Sequence, residues 1–133
     1  MDALLIRSPW IDKILDGSKT CEVRGTRTTK RGQIGLIESG TGMIVGVANL
    51  VGVVGPISLA ELVANSTSVG LTKSQAEGGL PYHRTFAWVM DRPRRLKRAV
   101  RYHHPPGAVI WVKLGSAVRH SVLQQLAIEE DRQ

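Results

Sequence analysis

The chain of 133 residues contains one cysteine, Cys21, so no disulfide can form within it and a reducing compartment is allowed. A structural zinc site would need three more ligands from four scattered histidines, so neither a metal nor another cofactor is expected. A secretory leader is not expected either. Asp2 stands where a signal peptide carries bases, and the apolar run Ala3-Leu4-Leu5-Ile6 is too short. Charge is absent from Ser39 to Ala60, a stretch long enough to raise a membrane span. Gly40, Gly46, Asn49, Gly55 and Pro56 interrupt it, and buried strands fit it better than a spanning helix. The expectation is a soluble, cytoplasmic monomer with no membrane partner.

Acidic residues are few. Eleven Asp and Glu face eighteen Lys and Arg, for a net charge of +7 and a sequence pI near 10.2. Three of the acids, Glu129, Glu130 and Asp131, lie in the last five residues; without 129–133 the chain keeps 17 bases against 8 acids, or +9. A surplus of that size attracts polyanions through its long-range field, and nucleic acid or a nucleotide is the partner it favours. Solubility alone is the plainer explanation of the same charge.

The length suits one domain over 1–133, with roughly two-thirds of the unfolded surface buried on folding. Residues 3–7 read as a strand. Ser8 then stands as an N-cap before Pro9 at the first helical position, and Trp10, Ile11, Ile14 and Leu15 keep helical spacing up to the stop at Gly17. Thr20 to Arg24 alternates as a strand, 25–32 is a polar loop, and strands at 33–38 and 43–54 meet across Ser39-Gly40-Thr41-Gly42. Ser58 caps a short helix at Leu59–Ala64. Residues 65–84 read as irregular, with a helical turn near Thr72–Glu77. An apolar strand covers 86–90, buried on both faces and ended by Asp91-Arg92-Pro93. Leu96–Tyr102 is a basic extended segment, Ala108–Leu114 a last strand, and about 117–129 an amphipathic helix presenting Val118, Val122, Leu123 and Leu126. The fold class is α+β: a small, closed or nearly closed β-barrel of five to seven strands, with a helix after the first strand and further short helices.

The densest chemical cluster is Gly17-Ser18-Lys19-Thr20-Cys21-Glu22-Val23-Arg24. On a strand, Thr20, Glu22 and Arg24 share one face, Glu22 and Arg24 roughly 7 Å apart, with Lys19 at the entrance. Two cations beside one carboxylate keep that acid ionised and attract anions. The carboxylate would accept from a base edge, and Lys19 and Arg24 would meet phosphate or carbonyl oxygen. A solvated strand face with weak internal pairs is the alternative.

Gly17-x-Lys19-x-x-Glu22-x-Arg24 resembles the G-x-K-x-x-E-x-R signature of the ASCH (activating-signal-cointegrator homology) domains, whose β-barrel is similar to the PUA RNA-binding fold. The lead-in Ser8-Pro9-Trp10-Ile11-Asp12-Lys13-Ile14-Leu15 is similar to that family's first helix. Phe86–Met90, Pro93–Leu96 and Pro105–Trp111 resemble its later strands, so the likeness covers about 4–114. It implies a pocket between the first helix and the barrel lined by Lys19, Glu22 and Arg24, and an RNA-related function. It also implies two enzymatic alternatives, a metal-independent ribonuclease and an amidohydrolase of N4-acetylcytidine. The amidohydrolase subgroup has a threonine nucleophile where this chain has Glu22, which counts against that mechanism. Thr20 is a nearby hydroxyl at the wrong position.

Other residues carry weaker signals. Arg92, Arg94, Arg95, Lys97, Arg98 and Arg101 form a cationic stripe, either a phosphate track, with Arg94, Arg95 and Arg98 as contacts, or a charged edge strand. His103 is a candidate proton donor, or merely part of a turn with His104 before Pro105. Tyr82 is a candidate stacking ring or proton-transfer group, and Trp10 a pocket wall. Trp88 and Trp111 read as core. Ser8 caps a helix whose N-terminus would face an anion.

Overall fold

The computed structural model describes residues 1–131, with side chains through Ile128, so the acidic tail lies outside the described side chains. In chain order the elements are β1 (Asp2–Ile6), α1 (Trp10–Leu15), β2 (Cys21–Arg24), β3 (Gly32–Glu38), β4 (Met43–Val54), α2 (Leu59–Ala64), α3 (Lys73–Glu77), β5 (Phe86–Arg101), β6 (Trp111–Lys113) and α4 (Ser116–Asp131). The six strands form one sheet in the order β2-β5-β4-β3-β1-β6, antiparallel except for β1 on β3. The sheet curls into a half-barrel, the α+β, PUA-like architecture expected. Two contacts bring its ends together. Arg24 on edge strand β2 donates to the Leu5 carbonyl of β1 at 2.7 Å, and Trp88 of β5 stacks on Trp111 of β6 with centroids 5.8 Å apart.

Strand alternation divides the core between the two faces of the sheet. Leu4, Ile6, Ile34, Leu36, Leu50, Trp88 and Met90 face inward, where Ile11, Ile14 and Leu15 of α1 plug the curl. Ala3, Leu5, Ile37, Ile44, Val47 and Leu96 face outward and are covered by Val122 and Leu126 of α4. A Cβ at Gly46 would run into a methyl of Leu15, so the glycine is what lets α1 press on β4. A third, smaller cluster of Leu62, Val69 and Ala76 sits under α2 and α3, each of which opens with a reciprocal capping box, Ser58 with Glu61 and Thr72 with Gln75.

Three boundaries differ from the sequence reading. Pro9, not Ser8, occupies the N-cap of α1, and no side chain caps it. The Ile11 amide, which a cap at Ser8 would serve, donates instead to the Arg7 carbonyl. The strand at 86–90 is not ended by Asp91-Arg92-Pro93. β4 is long enough to keep pairing, Asn49 with Asp91 and Val47 with Arg94, and a register shift between them absorbs Arg92 (φ 47) and Pro93. The last strand shrinks to Trp111–Lys113 because β1 offers only Asp2–Leu4 as partners; the Leu5 amide reaches back to the Ile110 carbonyl and Val109 is exposed. Among the described residues no helix is long and apolar enough to cross a membrane, and the uncharged stretch from Ser39 is mostly β4.

Candidate functional site

Gly17, with φ 87, ends α1 and turns the chain so that the Lys19 amide donates to the Lys13 carbonyl at 2.9 Å. Thr20 and Cys21 then both donate to the Ser68 carbonyl, at 2.8 and 3.0 Å, docking the start of β2 under the segment that follows α2. The Lys13 ammonium fastens the same segment by donating to the Gly70 carbonyl at 2.9 Å. Lys19 is thereby roofed over. It is 2% exposed, and Glu22 is 7% exposed.

Glu22 lies between two cations. Its Oε1 is 3.3 Å from Lys19 Nζ, and its Oε2 accepts from Arg24 Nη2 at 2.8 Å and Nε at 3.3 Å. Lys19 Nζ also donates to the Val69 carbonyl, and Arg24 Nη2 to that of Leu5. The three groups sum to one positive charge. Burial pushes the Lys19 ammonium below the ordinary lysine range, and the Glu22 carboxylate partly opposes it. The roof is specific about its residue. Gly70 has φ 77, and a Cβ there would lie 2.7 Å from Lys19 Cδ and 3.1 Å from Cγ. Every buried side-chain polar atom described has a partner, so the triad is a finished, preorganised unit.

This unit lines a cleft of about 480 Å³ between α1, the β1 and β2 ends and the segment 69–82. Trp10 and Tyr82 line it together with Lys19, Glu22 and Arg24. The Tyr82 side chain packs against Gly25, where a Cβ would come within 2.9 Å of Cδ1. Sequence reasoning missed Arg7 and Ser39 at the ends of β1 and β3, and Val109, which is 77% exposed at the cleft margin. Arg7 had a legible signal, a cation closing an apolar strand. Ser39 and Val109 arrive only through the parallel β1–β3 pairing and the shortened β6.

Other candidates lie elsewhere. Ser8 is exposed and does not line the cleft, and Thr20 is likewise exposed outside it. His103 is exposed in the loop after β5, away from the cleft, because the strand runs on to Arg101 on the far side of the sheet. His104 holds that loop, hydrogen-bonded to the Tyr102 hydroxyl and the Ala108 carbonyl at 2.9 Å each. Arg94, Arg95 and Arg98 belong to the distal half of β5. Arg94 contacts the Leu126 carbonyl at 3.4 Å, Arg95 pairs with Asp12 at 3.1 Å, and Arg95 and Arg98 line a second groove against α4. No group of three or more His, Cys, Asp or Glu gathers among the described residues.

The family model described as the ASCH domain matches residues 4–97, from β1 into the distal half of β5. The crystal structure of ASCH from Zymomonas mobilis has a TM-score of 0.69 at 15% identity, covering 95% of this chain and 92% of that one. A serine-to-alanine variant of the Zymomonas mobilis protein gives 0.69 at 14%, covering 92% and 94%. A tyrosine-to-phenylalanine variant gives 0.70 at 14%, covering 92% and 96%. At that identity the likeness is one of fold. No curated protein matches the sequence.

Proposed function

The chain belongs to the ASCH domain family, and on that premise we propose that it is an RNA-binding protein whose cleft admits one nucleotide of a single strand. The family is generally RNA-binding. One observation carries the finer reading: a buried Lys19–Glu22–Arg24 unit forms part of a cleft that also has an aromatic ring at its mouth. The cleft volume falls within the range of small-molecule pockets. A base stacked on Tyr82, which is 40% exposed, would offer its amino or imino hydrogens to the remaining lone pairs of Glu22. Arg24, 19% exposed at the side chain, and the exposed Arg7 would meet carbonyl or phosphate oxygens. Lys19 is almost wholly enclosed, and its role is to hold Glu22 charged and oriented.

The test is fluorescence anisotropy with a labelled single-stranded RNA. Tyr82→Ala should weaken binding by about 5- to 150-fold, the value of one stacked base, while circular dichroism stays unchanged. Equal affinity of the variant and the parent would remove the cleft from the binding surface.

A second reading, a metal-independent ribonuclease, draws on Tyr82 and Lys19 sharing the cleft. Arg24, held by the Lys19–Glu22 pair, would stabilise the charge developing on the non-bridging phosphate oxygens, and the Tyr82 hydroxyl would move a proton. Cleavage of labelled RNA in EDTA that disappears in Tyr82→Phe is the expected sign, and intact RNA after prolonged incubation refutes it. The amidohydrolase reading fares worse. The position of its nucleophile is Glu22, a carboxylate held by two cations, so N4-acetylcytidine should not be turned over.

A further inference from the structure

A second site emerges on the opposite face of the sheet. Between Ile44↔Val100 and Gly46↔Arg95 the β4–β5 register slips, so that Leu96–Ala99 bulge opposite the single residue Val45. Such a bulge breaks strict alternation. Leu96 turns into the core, and the consecutive residues Lys97, Arg98 and Ala99 are all exposed. α4 fixes this conformation. The Gln125 side chain accepts from the Arg98 amide at 3.0 Å and donates to the Arg98 carbonyl at 2.9 Å, standing in for a missing neighbour strand. The outcome is a groove of about 1100 Å³ between β5 and α4, lined by Arg95, Lys97, Arg98 and Arg101 with the amide and hydroxyl side chains of Gln124 and Ser121.

Among the described residues lining the groove there is no acid. Arg95 is answered by Asp12, but Lys97, Arg98 and Arg101 have no carboxylate within ion-pair distance among the described residues. Three cations without a carboxylate partner among the described residues and several neutral hydrogen-bonding groups, along a strand segment at most about 20 Å long, suit a chain of phosphates rather than one anion. α1 joins the two sites. Trp10 at its start lines the cleft, and Asp12 meets Arg95 at the groove.

We propose that the β5–α4 groove is a separate site for the sugar–phosphate backbone of single-stranded RNA. The proposal rests on the RNA reading of the chain but not on the cleft. Its α4 wall lies outside the segment matched to the family.

The test compares a 12-nucleotide single-stranded RNA with a dinucleotide over a salt series, using the full chain. A variant carrying Lys97→Ala, Arg98→Ala and Arg101→Ala should lower the slope of log affinity against log salt by about 2, at roughly 0.7 for each phosphate no longer neutralised. The advantage of the parent over this variant then shrinks about 20-fold between 50 and 200 mM salt. Dinucleotide binding should be unchanged. The control removes equal charge elsewhere, at exposed Lys73, Lys113 and Arg119. An unchanged slope in the groove variant, an equal fall in the control, or failure of the parent to bind the 12-mer overturns the groove. A parent that binds the 12-mer with the expected slope change but never the dinucleotide sinks the cleft reading and leaves the groove standing.

Discussion

Two glycines offer a matched pair for weighing how tightly Lys19 is enclosed. Gly70 and Gly79 have nearly the same left-handed backbone, φ 77 and φ 73, but a Cβ at Gly79 meets nothing within 4 Å. Alanine at Gly79 therefore carries only the left-handed penalty, about 1–2 kcal/mol. Alanine at Gly70 carries the same penalty and also strikes the Lys19 stem along its length, with Cδ, Cγ and Cβ at 2.7, 3.1 and 3.3 Å. That stem has no free space to retreat into, because its ammonium is held by Glu22 and the Val69 carbonyl. Overpacking of this kind costs about 1–3 kcal/mol, so Gly70→Ala should exceed Gly79→Ala by that amount in urea unfolding, at equal m-values. In a Lys19→Ala background Cγ and Cδ are gone and most of the excess should disappear, since only Cβ, at 3.3 Å, stays close to the new methyl. Equal costs for the two glycines in the parent, or an excess that survives Lys19→Ala, would refute the claim that Gly70 exists to enclose that lysine.

Glu22→Gln should destabilise the fold by about 3 kcal/mol in chemical denaturation, because it leaves two largely buried cations facing a neutral amide. The Lys19 shift makes a signed pH prediction. Its folded pKa lies below the unfolded 10.5, so between those values the unfolded chain binds more protons and stability rises with pH. Relative to Lys19→Met, the parent should thus gain stability as pH rises through the folded pKa and level off near 10.5; a gap constant with pH, followed by thermal unfolding, would contradict it. Ser58→Ala removes one half of the α2 capping box and should cost about 1 kcal/mol, read by the same urea titration.

The order of elements and the triad were legible because their signals are local. Helical spacing at Ile11, Ile14 and Leu15, the stop at Gly17 and strand alternation at Glu22 and Arg24 are each written within a few residues. What escaped was set by distant partners. Arg92-Pro93 reads as a strand end, yet β4 carries β5 past it through a register shift. Ser8 reads as a cap until the Arg7 carbonyl takes the Ile11 amide it would serve. The roof over Lys19 is built from residues 68–70, which no local pattern ties to a lysine some fifty positions earlier. Periodicity placed the cations of β5 on a strand but not on a bulge, and only α4, through Gln125, makes a groove of them.

The roof has a thermodynamic independence of its own. The barrel rests on two extensive apolar clusters, whereas α2, α3 and the segment between them rest on Leu62, Val69 and Ala76 with a few half-buried neighbours. So small an apolar foundation, supplemented by the hydrogen bonds to Ser68, Val69 and Gly70, predicts that this flap opens at lower free energy than the paired strands β3 and β4. Amide hydrogens of residues 62–78 should exchange ahead of those in β3 and β4, and a nucleotide seated beneath the flap should slow them. The door to the cleft is thus hung on a different frame from the wall behind it.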